Sequence, residues 1–136
     1  MLGAPMLSGG HPFVRLSDGQ TYRGEWHRGK MHGQGILNYP PPDGGMYEGE
    51  FHDGWRHGQG TRTYPDGSRY TGDWFKGKRH GQATLTYVNG IKHRGEWHEG
   101  DMHGQFTRIF PDGRKIEEVW RKGVYRPKAS TRPSGW

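Results

Sequence analysis

Four histidines recur at near-equal intervals and are the residues of this sequence most suited to metal binding or to a pH-dependent switch. They are His32, His57, His80 and His103. Imidazole nitrogens ligate transition metals and change charge near neutral pH. One histidine per hairpin, however, places neighbours about two strand spacings apart, roughly 10 Å, too far for tetrahedral ligation of one ion. We therefore expect structural histidines, each packed in a turn and hydrogen-bonded to a loop carbonyl of the neighbouring unit, and no metal site.

A second column consists of carboxylates, the groups that a hydrolase uses in pairs. Its members are Glu25, Glu50, Asp73 and Glu96. Such catalysis needs two carboxylates at a set separation within a cleft, whereas period-two alternation puts this column on a flat face opposite the aromatic residues. Basic residues at cross-strand positions, such as Arg23, Lys92 and Arg94, predict solvated ion pairs instead.

The other patterns typical of catalysis or cofactor binding are missing from the sequence. It contains no cysteine, which excludes thiol catalysis, disulfides and cysteine-ligated metals. The serines lack a nucleophile-elbow context. The glycines fall in predicted strands and turns and never open a helix, so no phosphate-binding loop is expected. The sequence therefore predicts a protein that is not an enzyme and needs no cofactor.

The elements that carry these columns belong to an internal repeat. Four full copies cover residues 22–46, 47–69, 70–92 and 93–115, and partial copies at each end extend the array to residues 10–125. Residues 1–9 are assigned to an N-terminal extension and residues 126–136 to a basic C-terminal tail. The first copy is longer because of Pro40–Pro42 and Gly45, and an insertion of this kind predicts a loop there.

Within each copy, residues alternate with the period of a β-strand. Tyr22, Gly24 and Trp26 share one face of the first strand, and a glycine turn leads to the second strand. Asp-Gly or Asn-Gly separates consecutive copies, a strong hairpin signal because glycine accepts positive φ. We therefore predict an all-β fold, an elongated single-layer antiparallel β-meander of tandem hairpins. Its mid-strand glycines predict aromatic rings stacked on bare backbone.

The recurring Tyr-x-Gly-(Glu/Asp)-(Trp/Phe), followed by Gly-x-x-His-Gly and Tyr-Pro-Asp-Gly, resembles the MORN repeat (membrane occupation and recognition nexus). The resemblance covers most of the chain and implies a twisted β-meander with a grooved aromatic face. Ala83 and Phe106 stand where earlier copies have glycine, which raises the expected groove floor. All departures from the pattern are Arg62, Ala83, His93, Phe106, Arg108, Ile116 and Glu118.

The aromatic face is the predicted partner-binding groove. A single-layer sheet has too little cover for all of its rings, and exposed apolar patches mark interaction sites, where Trp, Tyr and Arg dominate the binding energy. We expect a helix or extended peptide to lie along this face, with its acidic residues near Arg62 and Arg108. Tyr39 and Phe110 project to the same face. The predicted groove residues are Tyr22, Trp26, Tyr47, Phe51, Arg62, Tyr64, Tyr70, Trp74, Tyr87, Trp97, Phe106 and Arg108.

The net charge of +6 belongs mainly to the C-terminal end of the chain, because residues 1–120 carry only +1. Each cation near an anionic membrane contributes about 1 kcal/mol, so a phosphoinositide or other anionic membrane surface is an alternative partner. The resemblance implies the same alternative. The nearly neutral body neutralises too little phosphate to predict nucleic-acid binding. The tail cations are Arg121, Lys122, Arg126, Lys128 and Arg132.

The best-supported function is a non-catalytic protein-interaction scaffold or structural subunit, with protein partners in a larger intracellular assembly. The resemblance implies a cytoskeletal or axonemal setting, in the cytoplasm, a cilium or a flagellum. Residues 1–10 lack signal-peptide features, and no apolar run is long enough to span a bilayer. An accessory subunit of an enzyme complex stays open as an alternative. Predicted sheet edges at Phe13–Leu16 and Ile116–Trp120 favour an end-to-end homodimer.

Overall fold

The computed structural model describes residues 11–127, which form one open antiparallel sheet. Its strands follow chain order, each hydrogen-bonded to the strand before and the strand after it. This confirms the predicted all-β single-sheet meander. The described residues form no helix, so none is long and apolar enough to cross a membrane. The strands are β1 (Val14–Arg15), β2 (Thr21–His27), β3 (Lys30–Asn38), β4 (Met46–His52), β5 (Trp55–Thr63), β6 (Arg69–Phe75), β7 (Lys78–Thr86), β8 (Lys92–His98), β9 (Asp101–Ile109), β10 (Lys115–Arg121) and β11 (Val124–Arg126).

Two kinds of turn alternate along the meander. The turn between β2 and β3 has positive φ at both Arg28 (53°) and Gly29 (77°), the type I′ geometry whose twist matches the flanking strands. The loops between copies hold the Asx-Gly pairs, as predicted. In the loop after β5, the Gly67 N–H donates to the Tyr64 carbonyl at 2.9 Å. The extra residues of the first copy lie in the loop between β3 and β4, also as predicted.

Every full hairpin contains a β-bulge, and the extra residues of the bulge lie in its second strand. In the first hairpin the register moves from Gly24 opposite Gly35 to Trp26 opposite Met31, so Glu25 has no directly paired residue. The same shift recurs in the other three full hairpins. A bulge adds twist and releases backbone groups from the ladder. Strict period-two alternation is therefore interrupted in the second strand, whereas Tyr47, Gly49 and Phe51 of the first strand all stay on the buried face.

The two ends of the sheet are short strands. β1 forms the N-terminal edge, where Phe13 and Val14 are exposed, in the predicted segment. At the other end, β11 pairs with Val119–Arg121 and so covers Val119 and Trp120 of the segment Ile116–Trp120 that was predicted to be an edge. The reason is a further tight turn at Lys122 and Gly123, both with positive φ, which lets the last partial copy complete a short hairpin.

Candidate functional site

A continuous row of aromatic rings on one face joins each hairpin to the next. The Tyr22 ring packs edge-on against Trp26 of its own strand, with centroids 4.9 Å apart, and against Phe51 of the next hairpin at 5.3 Å. Such contacts contribute about 0.5–1.5 kcal/mol each beyond area burial. Because each tyrosine contacts two hairpins, this aromatic row is the core of the array. In order it contains Trp26, Tyr22, Phe51, Tyr47, Trp74, Tyr70 and Trp97.

The rings lie directly on glycine backbone, as the mid-strand glycines predict. A Cβ atom on Gly35 would overlap the Tyr22 ring. The Tyr22 hydroxyl donates to the carbonyl of Glu25 at 2.6 Å, so the carbonyl released by the bulge has a partner. Burial raises the pKa of Tyr22 to about 12, and burial likewise raises the pKa of Tyr47 and Tyr70. These hydroxyls therefore stay protonated and act as donors throughout the neutral range.

Burial corrects the prediction that the whole aromatic face is an exposed groove. Each ring lies along the sheet and is almost wholly covered by its own and the neighbouring hairpins, so little of it is left to contact a partner in this conformation. Trp26 is 43% exposed, since the partial copy before it supplies no tyrosine, and Tyr64 and Tyr87 are half-buried. The predicted groove residues that are at most 3% exposed are Tyr22, Tyr47, Phe51, Tyr70, Trp74, Trp97 and Phe106.

Arg62, a predicted groove residue, is built into the wall of this face. Its guanidinium lies between the rings of Tyr39 and Tyr64, 4.2 and 4.7 Å from their centroids. It donates to the carbonyl of Gly44 at 2.9 Å and to the carbonyl of Thr63. Only 7% of the residue is exposed, and desolvation lowers its pKa. Arg62 thus holds two loop tyrosines in place as half-buried walls.

Two further arginines, Arg56 and Arg79, lie on the same face and were missed by the sequence analysis. The Arg56 guanidinium lies over the indole of Trp74, 4.5 Å from the ring centroid, and donates to the carbonyl of Gly77 at 2.5 Å. Arg79 makes the equivalent two contacts one hairpin later, at 4.6 and 2.8 Å. The sequence did contain a signal for Arg56, because strand alternation places it on the same side of β5 as Gly58.

These three residues, Arg56, Arg62 and Arg79, form the arginine cluster. The salt bridges within residues 11–127 involve no member of it. The cluster lines a cavity of about 430 Å³ together with Lys78, and the one carboxylate in that lining is Asp43. Partly desolvated cations with so little countercharge are complementary to an anionic group.

Two more cavities continue this central cavity along the sheet. One of about 360 Å³ shares Tyr39 and Arg56 with it, and another of about 520 Å³ shares Tyr64 and Arg79. We call these three adjoining cavities the groove. Its centre is cationic, and both ends have a larger apolar share, with Lys76 and Lys78 also lining the end that contains Trp55. The apolar residues at the two ends are Met31, Leu37, Phe51 and Trp55 on one side and Pro65, Leu85 and Tyr87 on the other.

The histidine column connects neighbouring hairpins through hydrogen bonds whose direction differs from the prediction. The Nδ1 atom of His57 accepts from the backbone N–H of Lys76 at 3.2 Å, rather than donating to a carbonyl. The donor is the positive-φ residue of the next tight turn. Equivalent bonds of 3.2–3.3 Å occur at the other members of the column. Nδ1 is therefore the acceptor in each of these four contacts.

The histidine rings also belong to a longer row on the face opposite the aromatic row. Neighbouring rings in it have centroids 4.7–6.0 Å apart. The described part of the chain contains no group of three or more histidines and carboxylates arranged to hold a metal ion. The row contains His27, His32, His52, His57, Phe75, His80, His98 and His103.

The acidic column caps the bulges of the first three hairpins. The Glu25 carboxylate accepts from the backbone N–H of Gln34 at 2.6 Å. Glu50 and Asp73 accept in the same way from the opposing strand, at 2.5 and 2.8 Å. Glu96 differs and contacts the Gln82 amide at 3.5 Å. A carboxylate that receives a ladder N–H compensates the backbone pairing lost at the bulge.

The last full hairpin holds a buried polar cluster in place of the tyrosine contact. His93 and Glu118 are 5% and 2% exposed, and Nε2 of His93 lies 2.8 Å from Oε1 of Glu118. Nδ1 of His93 lies 2.7 Å from the Tyr87 hydroxyl. Arg108, predicted to face a partner, instead forms a salt bridge with Glu118, and the Trp120 indole donates to the same carboxylate at 3.0 Å. Glu118 is thus fully engaged inside the array.

The predicted anionic-surface tail is only partly within the described residues. Arg121, Lys122 and Arg126 are exposed at the C-terminal end of the sheet. Lys128 and Arg132 lie outside the described residues.

Comparison with family models matches the MORN repeat at residues 22–41, 47–69, 70–92 and 93–113, which is more than half of the chain. No curated protein matches this chain. MORN repeats are protein- and membrane-interaction modules and are generally non-catalytic. Each matched segment is one hairpin of the sheet, with its tyrosine or histidine at the start and its tight turn inside. The chain therefore belongs to the MORN-repeat family.

Proposed function

We propose that this chain is a non-catalytic protein-interaction scaffold, a structural subunit that holds a segment of a partner protein in the groove. The observation that carries the proposal is the groove itself, three adjoining cavities with walls of arginine and half-buried tyrosine. Arginine and tyrosine are enriched among residues that dominate interface energetics. Concave sites lined by apolar surface, with a few placed polar groups, are typical of binding sites.

The chemistry of the groove supports binding over catalysis. Its central lining has cations and rings, and the buried pair His93 and Glu118 is engaged in a structural cluster. We propose an intracellular, cytoskeletal or axonemal assembly as the setting, on the strength of the family resemblance alone.

Site-specific photocrosslinking tests where the partner lies. A benzoylphenylalanine at Tyr64 reports on the groove, and the same residue at Phe75 reports on the opposite face. We expect the Tyr64 variant to crosslink, in cells, to one peptide region of a partner that mass spectrometry identifies. A reproducible crosslink from Phe75 and none from Tyr64 contradicts the proposal.

A second candidate function is binding to an anionic membrane surface. It is favoured by the exposed cations Arg121, Lys122 and Arg126 at one end of the sheet. Cosedimentation with phosphoinositide vesicles, comparing the full chain with residues 1–120, tests this candidate. Loss of binding on truncation supports the tail as the lipid contact, whereas vesicle binding by residues 1–120 places it on the sheet and weakens the scaffold proposal.

A further inference from the structure

The arginine cluster presents positive charge that the described chain leaves without a salt bridge. Arg56 and Arg79 each donate from one nitrogen to a turn carbonyl and lie with one face on an indole, and Arg79 also donates to the Tyr64 hydroxyl at 3.5 Å. A guanidinium has five N–H donors, so further donors remain for a ligand. A carboxylate matches the planar guanidinium fork and forms the stronger, charge-assisted type of hydrogen bond.

The distribution of charge along the groove limits what the ligand can be. The centre is cationic. The Leu37 end combines its apolar residues with Lys76 and Lys78, whereas at the Leu85 end Asp66 offsets Arg79. A polynucleotide needs cations along its whole path to neutralise successive phosphates. A lipid headgroup fills the cationic centre and leaves the flanking cavities unused. A protein segment with acidic side chains in the middle and apolar side chains on both sides matches all three cavities.

From this complementarity we infer that the groove selects an acidic protein segment flanked by apolar residues, and that Arg56 and Arg79 determine this selectivity by binding its carboxylates. The inference rests on the proposed function and names the chemistry of the partner. Equivalent positions of consecutive hairpins lie about 9.6 Å apart, two strand spacings. In an extended segment at about 3.3 Å per residue, the two carboxylates are therefore about three residues apart.

The array itself supplies a conservative substitution for the test. In the repeat register, Met31 and Met102 occupy the positions equivalent to Arg56 and Arg79. Methionine therefore fits this position of the hairpin. Arg56→Met with Arg79→Met removes two charges at little risk to folding. Arg69→Met with Arg94→Met is the matched control, because both arginines are exposed and neither lines the groove.

The probe is a fluorescein-labelled synthetic peptide with Leu and Phe at each end and two glutamates three residues apart between them. A second peptide has glutamine in place of both glutamates. Fluorescence anisotropy with the full chain is expected to show about tenfold tighter binding of the glutamate peptide. The Arg56→Met/Arg79→Met chain is expected to bind both peptides equally weakly, and the control chain to bind like the wild type. Thermal unfolding of each variant checks the fold.

Several outcomes overturn the inference, and they separate it from the proposed function. Equal binding of the two peptides by the wild type overturns the acidic selectivity but leaves a protein-binding groove. Equal losses in the groove and control variants show that net charge alone acts. Binding of phosphoinositide vesicles that depends on Arg56 and Arg79, with no peptide binding, assigns the cluster to lipid. If no probe binds while the Tyr64 crosslink persists, the inference fails and the scaffold proposal stands.

Discussion

At the scale of the residue, the fold depends on glycines that are paired across strands. Gly49 lies opposite Gly60, and a Cβ atom on Gly49 would collide with the Gly60 Cα and be 2.5 Å from the Gln59 carbonyl oxygen. The three atoms nearest to a Cβ atom on Gly60 all belong to the Tyr47 side chain, which can shift where backbone cannot. The third copy shows this tolerance, because Ala83 occupies the position equivalent to Gly60 beneath Tyr70. The two glycines of one pair therefore have different physical roles.

Gly49→Ala is expected to destabilise the chain by at least about 2 kcal/mol, because backbone cannot yield as a side chain can. Gly60→Ala is the matched control, and we expect it to cost under about 1.5 kcal/mol. Urea unfolding followed by tryptophan fluorescence measures both. Equal costs for the two variants would contradict the distinction between backbone and side-chain contact.

His93 gives the array a pH-dependent contribution to stability. Burial lowers the pKa of His93, and the positive charge of Arg108 lowers it further. The hydrogen bond to Glu118 opposes this shift without reversing it. The Tyr87 hydroxyl faces the other ring nitrogen. An unfolded histidine titrates near about 6.5. The stabilisation from neutral, buried His93 is therefore fully present above about pH 6.5. It is lost as the pH falls through the lower pKa of the folded state, because the unfolded chain binds the proton first.

Between about pH 7.5 and 5.5, the free energy of unfolding is expected to fall less steeply for His93→Gln than for the wild type. Glutamine keeps a donor for Glu118 but does not titrate. One proton changes the slope by at most about 1.4 kcal/mol per pH unit. The exposed His27→Gln is the control for the other histidines, and a pH slope for His93→Gln as steep as in wild type would refute the assignment.

At the scale of the element, the fourth hairpin fills its core with different residues from the first three. The shorter His93 stands in place of tyrosine, and Phe106 supplies a ring from the opposite strand, where earlier hairpins have glycine or alanine. The Phe106 ring packs on Trp97 at 5.6 Å. Glu118, which replaces a mid-strand glycine, completes the exchange through His93. Burial of His93 and Phe106 follows from this reciprocal replacement rather than from decay of the repeat.

Phe106→Gly alone is expected to cost about 3–5 kcal/mol, because it opens a cavity above Gly95. The triple variant His93→Tyr, Phe106→Gly and Glu118→Gly rebuilds the earlier pattern, and we expect it to recover most of that loss. Chemical denaturation of both variants measures the recovery. A triple variant as unstable as Phe106→Gly would show that the fourth hairpin is specialised in some other way.

At the scale of the whole molecule, stability comes from contacts between neighbouring hairpins. Tyr22 contacts Phe51, and Tyr47 contacts Trp74 in the same geometry, so the first three copies present matching surfaces to the copies that follow them. Each tight turn is also bonded to the hairpin before it, as where the Gly77 N–H donates to the Arg56 carbonyl at 2.9 Å. Arrays of this kind behave as a sum of repeat and neighbour terms.

Deleting residues 47–69 is expected to leave a folded, shorter array, because Tyr22 can pack on Trp74 once the copies join. The unfolding transition should stay cooperative, with a lower denaturant slope in proportion to the surface removed. Deleting residues 55–68 instead would connect β4 directly to β6, which run parallel and cannot be joined by so short a link. Circular dichroism and urea titration compare the two, and unfolding of both would contradict the modular account.

The sequence by itself determined the parts of this protein that repeat. Glycine–aromatic alternation and Asx-Gly turns predicted the strands, the sheet order and the placement of rings on glycine, because these depend on local backbone chemistry. Only the tertiary structure decided what is exposed. Tyr47 and Trp97 look like a binding surface in one copy, yet the neighbouring hairpin buries them. Arg56 and Arg79 look like ordinary strand residues, yet contacts with the next hairpin place them at the centre of the groove. Exposure depends on packing between copies, and no single copy contains that information.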